Sequence, residues 1–297
     1  MAPTPVTAIR PTTTNMAHAP RNSSAHLPNF RSTAEFTKTH PPNPAWQIGT
    51  GASTPPPGGI NTLSLDPYGP TRTSRDNYQL LVSGIVPRPI GFVSTVGVSG
   101  AENLAPFSYL SLANHDPPIF TLGFSSGTHT EKDTARQLLE TGECTVNIIS
   151  EDFIEAANYC AVDAPPGVSE WTLSGLTREP SVIVKPPRVS ESMFSVEAKV
   201  VAKHEWSSRT TGKKSGTLVV VEGVWFHVRE DAMMENGALD AAVLRPVSRL
   251  GGISYARTTE AYDLPRPRWT EDREKGEVKE LLEEVEVPGK AVDVVNN

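Results

Sequence analysis

Cysteine is scarce in this chain of 297 residues: Cys144 and Cys160 are the only two. They form neither a CxxC pair nor part of a zinc quartet, which excludes a disulfide scaffold and a structural zinc site. Both read as buried thiols in a reducing compartment. Apolar residues are also few, at 37%, low for a chain that folds throughout. No run approaches the roughly 20 apolar residues of a membrane span. Basic residues are outnumbered, 27 against 34 acidic, giving a net charge of -7. That balance argues against general affinity for nucleic acid or anionic lipid.

Catalytic signatures are missing too. No GxGxxG follows a strand. Thr211-Gly212-Lys213-Lys214-Ser215 resembles a Walker loop, but Ser207 stands where its first glycine belongs, so the stretch reads as a basic hairpin turn. His204-Glu205 lacks the second histidine of a zinc protease, no serine sits in a G-x-S-x-G elbow, and the 7 histidines lack metal-ligand spacing. A hydrolase with a side-chain nucleophile and a metalloenzyme are both poorly supported.

What is present divides the chain in three. Residues 1–72 hold 13 of the 27 prolines, are rich in Thr, Ser, Asn and Ala, and show no sustained period. They are expected to be a disordered extension, because so little apolar surface cannot offset the entropy of ordering. Few acids with arginines and hydroxyls is also a transit-peptide composition, but the prolines would break its amphipathic helix, so the reading is cytoplasmic. Asn22-Ser23-Ser24 fits a glycosylation sequon by chance. Residues 265–297 form a charged tail in which Val278, Leu281, Leu282 and Val285 trace the stripe of a short amphipathic helix. That helix either docks on the body or a second subunit, or is a solvated appendage.

The body, 73–264, is rich in apolar runs of strand length bounded by Pro, Gly, Asn or Asp. Strands are predicted at Leu80–Val86, Ile90–Val96, Leu104–Leu110, Ile119–Phe124, Cys144–Ile149, Phe194–Lys203 and Thr217–Val228, the last buried on both faces. Helices are predicted at about 131–141 and 151–161. Many strands with few helices favour a mainly β fold with a closed antiparallel sheet.

Two segments carry chemistry. A hydroxyl-rich loop, Ser125 to Thr130, leads into Glu131-Lys132-Asp133-Thr134. Thr130 makes an acceptable helix N-cap with Asp133 three residues on. A helix start presents free N–H groups and about half a positive charge. Lys132 sits badly there unless an anion is bound, so the segment reads either as a phosphate cradle or as a capped surface helix with a solvated lysine. Earlier, Arg88 to Val96 and Asn103 to Tyr109 are adjacent strands with small polar residues and a proline that removes a ladder donor. Their unpaired backbone groups can face a ligand rich in ring heteroatoms.

Taken in order, Arg88-Pro89-Ile90-Gly91, Val93-Ser94-Thr95, Asn103-Leu104-Ala105-Pro106-Phe107-Ser108, Asp116-Pro117-Pro118 and Lys132-Asp133-Thr134 resemble the flavin reductase-like, FMN-binding split-barrel family, in its flavoredoxin-type branch. Lys185-Pro186-Pro187-Arg188-Val189 with Glu191-Ser192, Gly223-Val224 with His227, and Arg249-Leu250-Gly251-Gly252 with Tyr255 continue the pattern. The resemblance covers about residues 75–258 and neither tail.

The resemblance implies a small Greek-key barrel, a homodimer with FMN near the subunit interface, and the following site. Ser94 and Thr95 line the isoalloxazine edge. Asn103, Ala105 and Ser108 contact the ring or ribityl chain. Lys132 and Thr134 hold the phosphate. Arg249 serves the phosphate or the partner's site, and Arg88 the phosphate or the barrel entrance. Gln137, where relatives often have Asn, and His129, where some have Arg, are departures expected to weaken phosphate affinity.

The activity implied is an FMN-dependent oxidoreductase in which NAD(P)H gives hydride to flavin and a partner protein or small molecule accepts the electrons. No side-chain nucleophile or acid is then required. The alternatives are a flavin-binding or electron-carrier module without reductase activity, and an interaction scaffold working through the first 72 residues. His227, in an apolar strand, reads as a hydrogen-bonded core histidine ahead of a catalytic one.

Overall fold

Side-chain alternation along the strands sorts the body into one curled sheet. The computed structural model describes residues 27–32, 34–54, 61–125, 132–165 and 168–283. Residues through Ala34 form a unit of their own, whose described part has no helix or strand. The Asn22 sequon, His129, Thr130 and Val285 lie outside the described residues.

From Glu35 the chain runs β1 (Thr37–Thr39), α1 (Ser74–Gly84), β2 (Gly91–Val96), β3 (Glu102–Phe107), β4 (Leu110–His115), β5 (Pro118–Ser125), α2 (Asp133–Thr141) and β6 (Glu143–Ile148). It continues through α3 (Ile154–Tyr159), α4 (Glu170–Ser174), β7 (Arg178–Glu179), β8 (Arg188–Val189), β9 (Phe194–Ser207) and β10 (Lys214–Val228). The last elements are α5 (Ala241–Leu244), β11 (Val247–Arg249), β12 (Tyr255–Arg257), β13 (Glu260–Tyr262), α6 (Trp269–Asp272) and α7 (Gly276–Glu283).

Seven strands form the main sheet in the order β3-β2-β6-β9-β10-β5-β4, antiparallel at every junction. Its two edge strands, β3 and β4, are consecutive in sequence, joined by Ser108 and Tyr109. Antiparallel pairing at every junction gives β3 and β4 the same direction, and three Cα steps reach at most about 11 Å, so β4 continues from the end of β3 and the sheet curls to bring its two edge strands into line, although no ladder joins them. That is the split barrel the resemblance implies.

Inside the barrel Val93, Leu122, Phe124, Leu138, Cys144, Val146, Val219 and Val221 form one core. Phe92 and Leu104 face the other way and pack with Ile149, Phe153, Trp171 and Val189 under α3 and α4. The strand buried on both faces is therefore β2. The expectation placed that burial on Thr217–Val228, but β10 alternates buried and half-buried residues and ends with Trp225 and Phe226 exposed. Nothing covers its outer face among the described residues.

Three further readings change. Leu80–Val86 is not a strand, since Leu80 to Gly84 complete α1. Thr73 and Asp76 form a reciprocal capping box at its start, and that signal outranks a short apolar run. Leu104–Leu110 is not one strand, because the chain turns at Ser108-Tyr109 and β4 begins there. Finally, residues from Glu35 belong to the same compact unit as the body, although 1–72 was expected to be disordered throughout. Thr37–Thr39 pair in parallel with Glu260–Tyr262, and Lys38 bridges Asp263 at 3.2 Å. The amphipathic tail helix exists as α7, with Val278 buried. Leu281 packs against the bare α-carbon of Gly49, where a β-carbon would come within 2.8 Å of it. The Thr211–Ser215 stretch lies in the β9–β10 hairpin, with Gly212 at φ 69°.

Glu197 pins this architecture. It is fully buried, and its carboxylate accepts from the N–H groups of Val182, Ile183 and Val184 at 2.6, 2.6 and 3.0 Å. His227 Nε2 lies 2.7 Å away, so His227 is the hydrogen-bonded core histidine. Burial works to raise the carboxyl, but these hydrogen bonds outweigh it and hold the group below the ordinary glutamate range. Its stabilising contribution is thus present above the ordinary value and lost as pH falls through the depressed folded-state value. Glu197→Gln places an N–H group against N–H donors. We expect it to cost about 2–3 kcal/mol in urea unfolding at pH 7, with the deficit shrinking toward pH 3.

Candidate functional site

The seam between β3 and β4 opens into a cleft of about 270 Å³. Because β3 ladders only with β2, its other edge is free to face a ligand. Of the nine residues expected at a site, seven line this cleft: Arg88, Asn103, Ala105, Ser108, Lys132, Thr134 and Arg249.

Asn103 and Thr134 tie the strand to the helix start. Asn103 Nδ2 donates to Thr134 Oγ1 at 2.7 Å, and both residues are buried. A hydroxyl that accepts one bond still has its own proton to donate. The helix begins at Asp133, with Lys132 as its N-cap residue and no side-chain cap. The cap expected from Thr130 falls outside the described residues. Lys132 is exposed and its side chain has no hydrogen-bond or ion-pair partner among the described residues. The cleft thus meets a helix start whose N-cap residue, Lys132, makes no side-chain cap bond and carries an ammonium group without a partner among the described residues.

The two arginines behave differently. Arg88 is buried and its guanidinium is committed: it donates to the carbonyls of Val82, Ile85 and Leu250 and to Ser108 Oγ. It caps the end of α1 and fixes the cleft wall. Arg249 donates to Gly252 O at 2.8 Å and stacks 4.3 Å from the Tyr255 ring centre, holding the turn that follows β11.

Ser94 and Thr95 do not line the cleft. Both are fully buried in β2, the strand with cores on both sides. Thr95 Oγ1 donates to Gln137 Oε1 at 2.8 Å. Ser94 Oγ has no partner among the described residues. Gln137 is also buried and outside the cleft, so its departure from the family's Asn changes packing behind α2. His129 lies outside the described residues.

Sequence reasoning missed several wall residues. Tyr78 and Val82 of α1, Tyr109 at the seam, and Cys160, Asp163 and Glu170 around α3 and α4 all line the cleft. Tyr109 lies across Gly123, where a β-carbon would meet Tyr109 Cβ at 2.9 Å. Burial raises the Tyr109 hydroxyl above its usual range and pushes the Cys160 thiol up to about 11, so neither ionises near neutrality. Glu170 is buried between Ser169 and Trp171, and no spacing pattern in the sequence marked it.

The family model for the flavin reductase like domain matches residues 83–242. The chain belongs to that family. It is 35% identical over 215 residues to an uncharacterised protein of Halalkalibacterium halodurans, covering 71% of this chain and all of that protein. Among solved structures it resembles nitrilotriacetate monooxygenase component B of Bacillus cereus, with 33% identity, a TM-score of 0.65, and coverage of 69% of this chain and 100% of that one. It also shares the fold of a split barrel domain from Shewanella frigidimarina, with TM-score 0.57, 21% identity, and coverage of 66% and 95%. No helix among the described residues is long and apolar enough to cross a membrane.

The orphan hydroxyl of Ser94 yields a stability prediction. A buried donor without a partner carries a desolvation cost, which Ser94→Ala removes. The variant is expected to be as stable as the parent or up to about 1 kcal/mol more stable, read from the urea midpoint. A loss above about 1 kcal/mol would show that Ser94 Oγ has a partner.

Proposed function

We propose that the cleft binds FMN and that the protein is an FMN-dependent oxidoreductase using NADH or NADPH as hydride donor. One observation carries the reading: Lys132, whose side chain has no partner among the described residues, stands at the N-cap of α2 without a side-chain cap bond and shares a cleft with the edge of β3 away from β2 and with Thr134. A phosphate matches that donor set, because an anion relieves the like-charge conflict between Lys132 and the helix dipole. The unpaired edge of β3, with small Ala105 and Ser108, suits a flat ring with polar edges.

Lys132, Thr134 and the first-turn N–H groups would hold the phosphate. Asn103, Ala105 and Ser108 would meet the ribityl chain and ring, and Arg249 would flank them. Arg88 would position Ser108 and leave the phosphate to others. Bound FMN would supply the redox chemistry, taking hydride from a reduced nicotinamide and passing electrons to a small molecule or protein. The chain's own part is alignment and exclusion of water. Backbone donors of β3 would favour negative charge on the ring edge.

We also propose a homodimer. The outer face of β10, the half of β9 beyond Lys199 and the edge strand β4 leave Trp225, Trp206, Val201 and Leu112 each 46–64% exposed. An apolar surface of this kind marks an association site, and it adjoins the cleft at Tyr109 and Gly123. Light scattering on the purified chain tests it.

For the reaction, holo-protein mixed anaerobically with NADH or NADPH should lose its yellow absorbance within turnover times. If neither donor bleaches a protein that binds FMN, the protein is a flavin-binding module without reductase activity. Lys132→Ala should weaken FMN binding by about 1.5–3 kcal/mol and leave riboflavin, which lacks the phosphate, nearly unaffected. Equal losses for the two flavins would remove the phosphate from Lys132.

A further inference from the structure

Among the described residues, Glu170 is the buried acid of the cleft wall. It opens α4 and is 8% exposed. Asp133 and Asp163, the other acids of the wall, are exposed. Oε2 of Glu170 accepts from the Leu104 N–H at 3.4 Å, a long bond. The carboxylate also accepts from Glu170's own backbone N–H, and among the described residues neither oxygen joins an ion pair.

The groups around Glu170 leave its charge uncompensated. From β3 it receives only the Leu104 amide. From the start of α2 come Lys132 and Asp133, of opposite sign, on the same wall. Cys160, at the end of α3, donates its Sγ–H to the Glu170 carbonyl at 3.9 Å, while Glu155 and Tyr159 of α3 are exposed. On α4 itself Trp171 faces Arg178, whose guanidinium is 5.1 Å from the ring centre and is paired to Glu102 at 2.7 Å. Burial is the main cause that raises the Glu170 carboxyl above the ordinary range. Asp133 adds to it, and the backbone N–H groups oppose it. The Cys160 thiol, at about 11, stays neutral, which leaves Glu170 as the buried acid of the wall.

An anion in this cleft meets an ionised Glu170 as like charge, and a neutral Glu170 as an O–H donor. We propose that Glu170 couples proton uptake to binding of the phosphorylated ligand: the phosphate is held with Glu170 neutral and is released as Glu170 ionises. This rests on the reading of Lys132 as the phosphate site. It gives Glu170 a positioning and release role that needs no contact with the reacting atoms. Linkage fixes the sign. If the bound complex carries one more proton than the free protein, affinity falls with rising pH, by at most about tenfold per unit.

The test is fluorescence titration of apoprotein with FMN and with riboflavin from pH 5 to 8.5, for the parent and Glu170→Gln. The phosphate's own titration near pH ~6 is common to both proteins, so their difference isolates Glu170. Parent and variant should bind FMN alike at pH 5. At pH 8.5 the variant should bind more tightly by on the order of tenfold, the scale of like charges across a screened cleft. Riboflavin should show no such divergence. Parallel FMN profiles, or equal divergence with both flavins, would overturn the role of Glu170 and leave FMN binding standing. Absence of FMN binding by either protein at every pH would overturn the cofactor reading and this inference together. Should Glu170→Gln not fold, calorimetry of the parent at pH 7.5 in two buffers of different ionisation heat decides it. The probe there is riboflavin 5′-sulfate, an anion that does not titrate in this range: proton uptake with it and none with riboflavin supports the coupling, and no uptake with it rejects it.

Discussion

Everything about the cleft depends on the two-residue link between β3 and β4. Because Ser108 and Tyr109 join the two edge strands of one sheet, the sheet must curl until its edges meet, yet the two strands run in the same direction, so β4 continues β3 and no hairpin ladder forms between them. The barrel closes by connectivity without closing by hydrogen bonds. Left over is a strip of β3 backbone that ladders with nothing on one side, an ordinary liability at a sheet edge. Here that strip becomes one wall of a cavity whose other walls are α1, the start of α2, and the region of α3 and α4. Arg88 keeps the arrangement in register by binding three carbonyls from two separate segments.

The division of labour follows from β2. A strand buried on both faces separates a barrel core from a second core under α3 and α4. Its side chains are spent on packing, which explains why Ser94 and Thr95 sit behind the cleft while their neighbours across the ladder, Leu104 and Asn103, divide between core and site. Asn103 reaches Thr134, so the strand edge is tied to the helix start at the cleft.

Much of this was legible in the residues. Apolar runs ended by Pro, Gly or Asp located β2, β5, β6 and β10, because burial against a core leaves a local trace. Leu80 to Val86 misled because seven residues cannot separate a period of 2 from 3.6, and the Thr73 capping box that resolves it lies upstream. The seam was illegible, since Leu104 to Leu110 reads as a single run and only pairing partners elsewhere show where it breaks. Lys132 and Thr134 were found because a charge conflict at a helix start is local. Glu170, Tyr78 and Tyr109 come from segments whose approach depends on the whole topology. The order of Thr37 to Thr39 was likewise invisible, because its partner strand is more than two hundred residues away.

That distant pairing has a consequence for synthesis. Thr37 Oγ1 bonds to the Thr259 carbonyl across a separation of 222 residues, and Leu281 rests on Gly49. The leading segment therefore leaves the ribosome long before any of its docking surface exists. The barrel strands are translated in between, so they can assemble first, and the strap is fastened only after the final helix has emerged. A chain halted before residue 260 would carry its barrel sequence intact and its front end untied, exposed to proteases that the finished molecule turns away.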